Sequence, residues 1–292
     1  MAPKNILFVI LLTSFVYSCD KAKNVNQAIV YHNGDIITME GDSPNYVEAI
    51  VEKDGKIIFV GNSDEAMSIA GKGHKMIDLE GKTLLPGLID GHCHFGAYGA
   101  QAIGAQLLAS PDANVNDIET LISVLKQWDT SENRALTGWI FGTGFDDSVL
   151  KEKRFPTKHD LDQVSTEHPI MIIHISGHFA VVNSVGLKKL GINGETKNPE
   201  GGIIRREEGS NEPNGVLEEL AAIPHMMKAI MPSSPEALLR FFEAGQDMAL
   251  SYGYTTAQEG RAMQNHEMLA SMAEKQSIKL DVVSYIDYSL LD

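Results

Sequence analysis

Apolar and polar positions change rhythm along this chain. Between Ala28 and Lys82 short apolar runs alternate with polar pairs, as in AIVYHNGDIITM around Asn33-Gly34 and AIVEKDGKIIFVG around Asp54-Gly55. An Asx-Gly pair between such runs is a strong hairpin signal, because both central residues of the tight turn need positive φ. MIDLEGKTLLPG continues in the same style. The pattern predicts a small β-sheet domain over residues 28–83.

From Leu84 the rhythm becomes alternating strand and helix. LLPGLIDGH reads as a buried strand, and an amphipathic helix follows over Val115 to Trp128. GWIFGTGF and PIMIIHISG read as further strands, with TKHDLDQV a short helix between them. PEALLRFFEAGQDMALSYG carries apolar residues at helical spacing and a Gly253 stop. Strand-like YTTAQEG, helical NHEMLASMAEKQ and strand-like KLDVVSYI complete the run. Such alternation predicts a parallel α/β arrangement, and a barrel is its closed form. An irregular insert is expected at about 96–217, in which IIRREEGSNEPNGVL reads as a hairpin. Only about five barrel-type strands can be counted against the eight a closed barrel needs, so a barrel incomplete at its C-terminus is expected.

The first residues change the picture in one respect. Lys4, the apolar run Ile6 to Val16 and then Tyr17-Ser18-Cys19 have the layout of a secretory signal peptide. The run is shorter than the roughly 20 residues a bilayer span needs. Cys19 directly after Ser18 resembles a bacterial lipoprotein signal, with Tyr17 unusual at its position. The expectation is a leader over 1–19, lipidation at Cys19, a tether over 20–27, and a protein held at the bacterial cell envelope by a lipid anchor. With only two cysteines, Cys19 and Cys93, no disulfide framework is expected. The 292 residues are 43% hydrophobic, enough for a substantial core, and the net charge is −15. No basic block stands out, which excludes nucleic acid as an expected partner. Self-association stays open.

The chemistry concentrates in LLPGLIDGHCHF, Leu84 to Phe95. Residues i and i+2 of a strand point to the same side, so His92 and His94 aim together from the strand's C-terminal end. Two convergent neutral imidazoles are good ligands for zinc or another borderline divalent metal. The alternative is that both merely cap a strand end. Cys93 points the other way and is expected to pack.

LLPGLIDGHCHF, preceded by DGKIIFVG and DLEGKTLLPG, resembles the first-strand signature of the amidohydrolase superfamily. GTGFDD (142–147), RFPTKHDLDQV (154–164), SGHFAVVNSVGLKKLGI (176–192) and GGIIRREEGSNEPNGVLEE (201–219) are similar to its YtcJ-like, N-substituted formamide deformylase-like branch. The resemblance runs from about Ala28 to the C-terminus. It implies a (β/α)8-type hydrolase barrel with a small N-terminal β-sandwich. It also implies hydrolysis of a non-peptide C–N bond in a small amide-like substrate, by water activated on a divalent metal, zinc first. His92 and His94 would be ligands. Glu259 ends YTTAQEG, expected as the fourth strand, where many relatives carry His-Asp and this chain has Gln258-Glu259. Glu259 and Glu219, in GVLEE, are the competing carboxylate ligands, and either can equally be a surface charge. His178 is expected to orient the substrate carbonyl or to be a buried structural histidine. Asp146 is read as a helix cap or a substrate contact, His174 as structural, His266 as a surface residue. Met226, Met227 and Met231 are read as packing. A non-catalytic envelope relative of the amidohydrolases is the alternative function.

Overall fold

The computed structural model describes residues 27–287, apart from 233, 261, 263, 264 and 276. The leader, Cys19 and nearly all of the tether therefore lie outside the described residues. The chain divides into two compact units, Met1–Pro86 and Gly87–Asp292. No helix among the described residues is long and apolar enough to cross a membrane.

The first unit is one five-stranded sheet: β1 (Ile29–Ile37), β2 (Tyr46–Lys53), β3 (Lys56–Gly61), β4 (Lys75–Asp78) and β5 (Thr83–Leu84), in the order β3-β2-β1-β4 with β5 also on β1. Helix α1 (Ser63–Ala70) follows β3; Asn62 caps it, accepting a hydrogen bond from the Glu65 amide at 2.9 Å. Val30, Ala49, Val51 and Ala66 form the core of the unit, so a helix covers the sheet and the expected sandwich is not seen among the described residues. The two Asx-Gly pairs part company. Asp54-Gly55, both at positive φ, turns β2 into β3 as expected. Asn33-Gly34 makes no hairpin: β1 runs straight through it with a bulge between His32 and Ile36. Asn33 Nδ2 donates to Asp78 Oδ1 at 2.7 Å, and a Cβ at Gly34 would lie 2.3 Å from the Lys82 carbonyl oxygen. A neighbouring segment occupies the space the turn would have needed.

The second unit holds two sheets. One is a parallel three-stranded sheet, β14-β13-β6, made of β6 (Leu88–Cys93), β13 (Tyr254–Glu259) and β14 (Asp281–Ser284). The other has six strands in the order β11-β12-β10-β9-β8-β7. These are β7 (Ala105–Gln106), β8 (Ile140–Phe145), β9 (Ile170–His174), β10 (Phe179–Val182), β11 (Gly202–Arg206) and β12 (Pro213–Glu219). The architecture is mixed α/β, and no closed barrel forms among the described residues. GWIFGTGF and PIMIIHISG, expected as barrel strands, are β8 and β9, parallel to each other but in the six-stranded sheet with the β11–β12 hairpin. YTTAQEG is not a fourth strand: β13 pairs directly with β6. Local alternation finds strands but carries no information about which sheet each joins.

The helices are α2 (Phe95–Ile103), α3 (Ile118–Trp128), α4 (Ser131–Thr137), α5 (Lys158–Asp162), α6 (Ser184–Leu190), α7 (Ile223–Ile230), α8 (Pro235–Ser251) and α9 (Asn265–Glu274). Their ends follow side-chain chemistry. Asp117 caps α3 by accepting from the Thr120 amide at 2.7 Å, and Ile118, Leu121 and Leu125 bury one face. Ser234 caps α8, with Pro235 in its first turn, and the chain leaves through Gly253 at φ 85°. Helices α2 and α8 cross with almost no side chain between them: a Cβ at Gly245 would meet the Gly99 nitrogen at 2.6 Å. Phe95 stacks on Phe242, centroids 6.1 Å apart. That close packing fixes α2, and with it the residues that lead into it, on the end of β6.

Candidate functional site

Parallel pairing of β6 with β13 puts Cys93 opposite Glu259, and the Gly260 amide donates to the Cys93 carbonyl at 2.8 Å. This register sets Glu259 beside the HCH segment although 164 residues separate it from Phe95. His92 and His94 lie with ring centroids 5.8 Å apart, edge to face. His94 has left the strand and occupies the position just before α2. Its Nδ1 is 3.5 Å from Glu259 Oε1, and the Glu259 side chain is only 4% exposed. The Gly96 amide, in the first turn of α2, donates to Glu259 Oε2 at 3.3 Å. A helix N-terminus favours negative charge, which offsets part of the cost of burying this carboxylate. The His92 ring lies against Gly260, where a Cβ would come within 2.6 Å of it. Only glycine at 260 leaves that ring its place. Two imidazoles and a buried carboxylate are a donor set suited to a borderline divalent ion. Among the described residues, the ligand atoms of these three do not all lie within 4.8 Å of one another.

The strand behind them is held by hydrogen bonds. Asp90 Oδ1 accepts from the His92 amide at 3.2 Å, and Tyr98 donates its hydroxyl to Asp90 Oδ2 at 2.5 Å. Burial, with Asp90 as acceptor, raises the Tyr98 hydroxyl far above its ordinary range, so it stays a donor. Cys93 is free and buried, as expected, and burial pushes its thiol up.

Asp90, His94, Tyr98, Gly144, His174 and Met226 all line a cleft of about 1140 Å³. Met227 also lines it and is half exposed, so two methionines read as packing face the cleft as well.

His178 and Glu219, expected in separate roles, meet. His178 Nδ1 is 2.8 Å from Glu219 Oε2, both side chains about half exposed. Glu219 sits at positive φ at the end of β12, and its amide donates to the His178 carbonyl. Asp146 caps no regular helix. Its Oδ1 accepts from the Ser148 amide at 2.9 Å and from the Ser148 hydroxyl at 2.6 Å, and the turn that follows returns the Leu150 amide to the Asp146 carbonyl. The Ser148 hydroxyl holds the Asp146 carboxyl below the usual range, burial opposing it. His266 is half-buried rather than on the surface, its Nδ1 3.1 Å from Ser284 Oγ. Asn183 caps α6, and also accepts from the Ile170 amide while donating to the Ser165 and His168 carbonyls.

His174 is where the sequence reading missed most. It ends β9, beside the end of β8, and its Nε2 lies 3.2 Å from Asp147 Oδ1 and 3.9 Å from Asp146 Oδ1. Ligand atoms of these three residues all fall within 4.8 Å of one another. The only signals available beforehand were the paired aspartates of GTGFDD and a histidine inside an apolar strand. Neither reveals that β8 and β9 are neighbours.

Comparison with known proteins follows the same lines. The amidohydrolase family model matches residues 75–291. The chain is 31% identical to an N-substituted formamide deformylase of Arthrobacter pascens over 65% of this chain and 34% of that protein. It is 30% identical to the protein LONG AFTER FAR-RED 3 of Arabidopsis thaliana over 77% of this chain and 36% of that one. Identity to YtcJ of Bacillus subtilis is 28%, over 70% and 37%. The chain thus spans somewhat over a third of the length of these relatives. The crystal structure of a metal-dependent hydrolase from Pyrococcus furiosus shares the fold, with a TM-score of 0.61 at 24% identity over 91% of this chain and 51% of that one. With the HCH segment, the following helix and the pairing of β6 with β13 all inside the matched span, this chain belongs to the amidohydrolase family.

Proposed function

We propose that this chain carries the metal-binding strand end of a hydrolase that cleaves a non-peptide C–N bond in a small amide, formamide or cyclic amide. One observation supports it above the rest: the register that sets the buried Glu259 carboxylate against the His92–His94 pair. A divalent ion held there, zinc in the first instance, supplies Lewis acidity toward the carbonyl and lowers the pKa of water toward neutrality. His92 and His94 donate neutral imidazole nitrogens to it, and Glu259 contributes the carboxylate, steadied by the Gly96 amide. Asp90 and Tyr98 hold the strand in line. The 1140 Å³ cleft receives the substrate beside His94. His178, its ring fixed by Glu219, is the group proposed to orient the substrate carbonyl, and Glu219 is accordingly assigned to His178 rather than to the metal. The non-catalytic alternative is not favoured by the family match.

The test is metal content by elemental analysis of the purified protein and of His92→Ala/His94→Ala, with hydrolysis of N-substituted formamides followed in parallel. The wild type is expected to carry metal that the double variant loses, together with any formamide hydrolysis. Metal content unchanged by the double substitution would overturn the reading. The leader and Cys19 support a further proposal, a lipid anchor at the bacterial envelope. Labelled fatty acid should enter the wild type and not Cys19→Ser; label in neither would remove the anchor.

A further inference from the structure

Parallel strands present their C-terminal ends to ligands, and β8 and β9 are parallel neighbours with Phe145 opposite His174. At that end the Asp146–Asp147 pair meets His174. The His174 side chain is 11% exposed, and its Nε2 is itself buried with no hydrogen-bond partner, although two carboxylates lie in front of it. A buried polar nitrogen without a partner is costly, and nothing else among the described residues relieves it. The imidazole is not free to swing away. Phe145, Phe155 and Phe179 surround it at centroid distances of 5.2, 5.6 and 5.5 Å.

Ser176 completes the arrangement. Its amide donates to His174 Nδ1 at 3.1 Å, and its hydroxyl lies 2.8 Å from the same nitrogen. With the proton on Nε2, Nδ1 accepts from the Ser176 amide. With the proton on Nδ1, the ring donates to the Ser176 hydroxyl and the Nε2 lone pair faces the aspartates. The Ser176 amide holds Nδ1 as an acceptor, so a cation on Nε2 requires the proton to move to Nδ1, where the amide bond is given up and the Ser176 hydroxyl accepts instead.

We propose that Asp146, Asp147 and His174 form a divalent-cation site distinct from the His92–His94 segment, taking a borderline ion such as Mn²⁺, Co²⁺ or Zn²⁺. Two ligands each about 2.1 Å from an ion at the tetrahedral angle lie about 3.4 Å apart. The 3.2 and 3.9 Å separations bracket that spacing. One imidazole with two carboxylates favours such ions over Ca²⁺, whose sites are all oxygen. His174 also lines the cleft that His94 lines. The site does not depend on the reading of His92 and His94.

The test is a Co²⁺ titration of the full chain, followed by visible absorption and by thermal melting. His92→Ala/His94→Ala is expected to keep one Co²⁺ and to melt at higher temperature when it is added. Adding Asp146→Asn/Asp147→Asn to that background should weaken the remaining Co²⁺ at least tenfold and abolish the thermal shift. Ser176→Ala should weaken it by about tenfold, as the loss of an outer hydrogen bond does. If the double Asn variant does not melt cooperatively, Asp147→Asn alone is read, with the same expectation. Absence of Co²⁺ binding in His92→Ala/His94→Ala, or binding unchanged by Asp147→Asn, would overturn the proposal and leave His174 and Asp147 as an ion pair. Loss of metal only on His92→Ala/His94→Ala would support the proposed hydrolase site while removing this one.

Discussion

Two junctions of parallel strands in the second unit end in histidine, and they are built in opposite ways. At the end of β6 the histidines are the exposed members, His94 being 62% exposed, and the carboxylate that meets them is buried under the first turn of α2. At the end of β8 and β9 the histidine is enclosed by three phenylalanines and the carboxylates are nearer to solvent. The first arrangement fixes the negative charge and leaves the imidazoles able to close on an ion. The second fixes the imidazole and leaves the aspartates to close. Burial falls on whichever group the neighbouring element can satisfy: a helix N-terminus serves a carboxylate, whereas a serine and aromatic rings serve an imidazole.

Substitution separates the two most sharply. His92→Ala/His94→Ala should lower the proposed amide hydrolysis by more than about 100-fold, beyond the 10–100-fold that loss of an outer-shell partner costs. The same substitution should leave Co²⁺ at Asp147 unaffected. Steady-state rates measured beside the Co²⁺ titration check both. Glu259→Gln keeps the volume and an acceptor for the Gly96 amide but removes the charge. Metal affinity at the first junction should fall by about 10–100-fold, read by competition with a chelator.

Gly260→Ala tests the steric side. A methyl there would lie 2.6 Å from the exposed His92 ring, which must swing aside, so unfolding stability should change by less than about 0.5 kcal/mol while metal binding weakens. Gly91→Ala, in β6 beside His92 and with nothing within 4 Å of the added carbon, should change stability by less than about 0.5 kcal/mol and leave metal binding unchanged. Equal metal binding in the two variants would mean that the His92 ring is not held by Gly260. Tyr98→Phe removes the hydrogen bond to Asp90 and should cost about 1 kcal/mol, a fall in melting temperature of about 2–4 °C.

The Asx-Gly pairs measure how far local signals reach. Asp54-Gly55 and Asn33-Gly34 are equivalent as text, yet one is a turn and the other a bulge. The difference lies in Asp78, Leu79 and Lys82, which close around Asn33-Gly34 from elsewhere in the chain. The helices were legible because their determinants are local: the Asp117 cap, the Ser234-Pro235 start and the stop at Gly253 are each within a few residues of the backbone they govern. Of the candidate site, Cys93's inward face was legible from strand periodicity, whereas β6 ends at Cys93 and His94 stands just before α2. The meeting of His178 with Glu219 was not legible, because they stand 41 positions apart with a hairpin between them.

By itself the sequence determined many of the strands, the longer helices, the family resemblance and the residues able to bear chemistry. Those follow from spacing and side-chain type alone. Only the tertiary structure decided which strands became neighbours: β13 against β6, which buries Glu259 beside the histidines, and β8 against β9, which sets Asp147 in front of His174. Strand pairing is a choice among distant segments of similar local pattern. It is settled by how the remaining side chains pack around each pairing, which no single stretch of sequence contains.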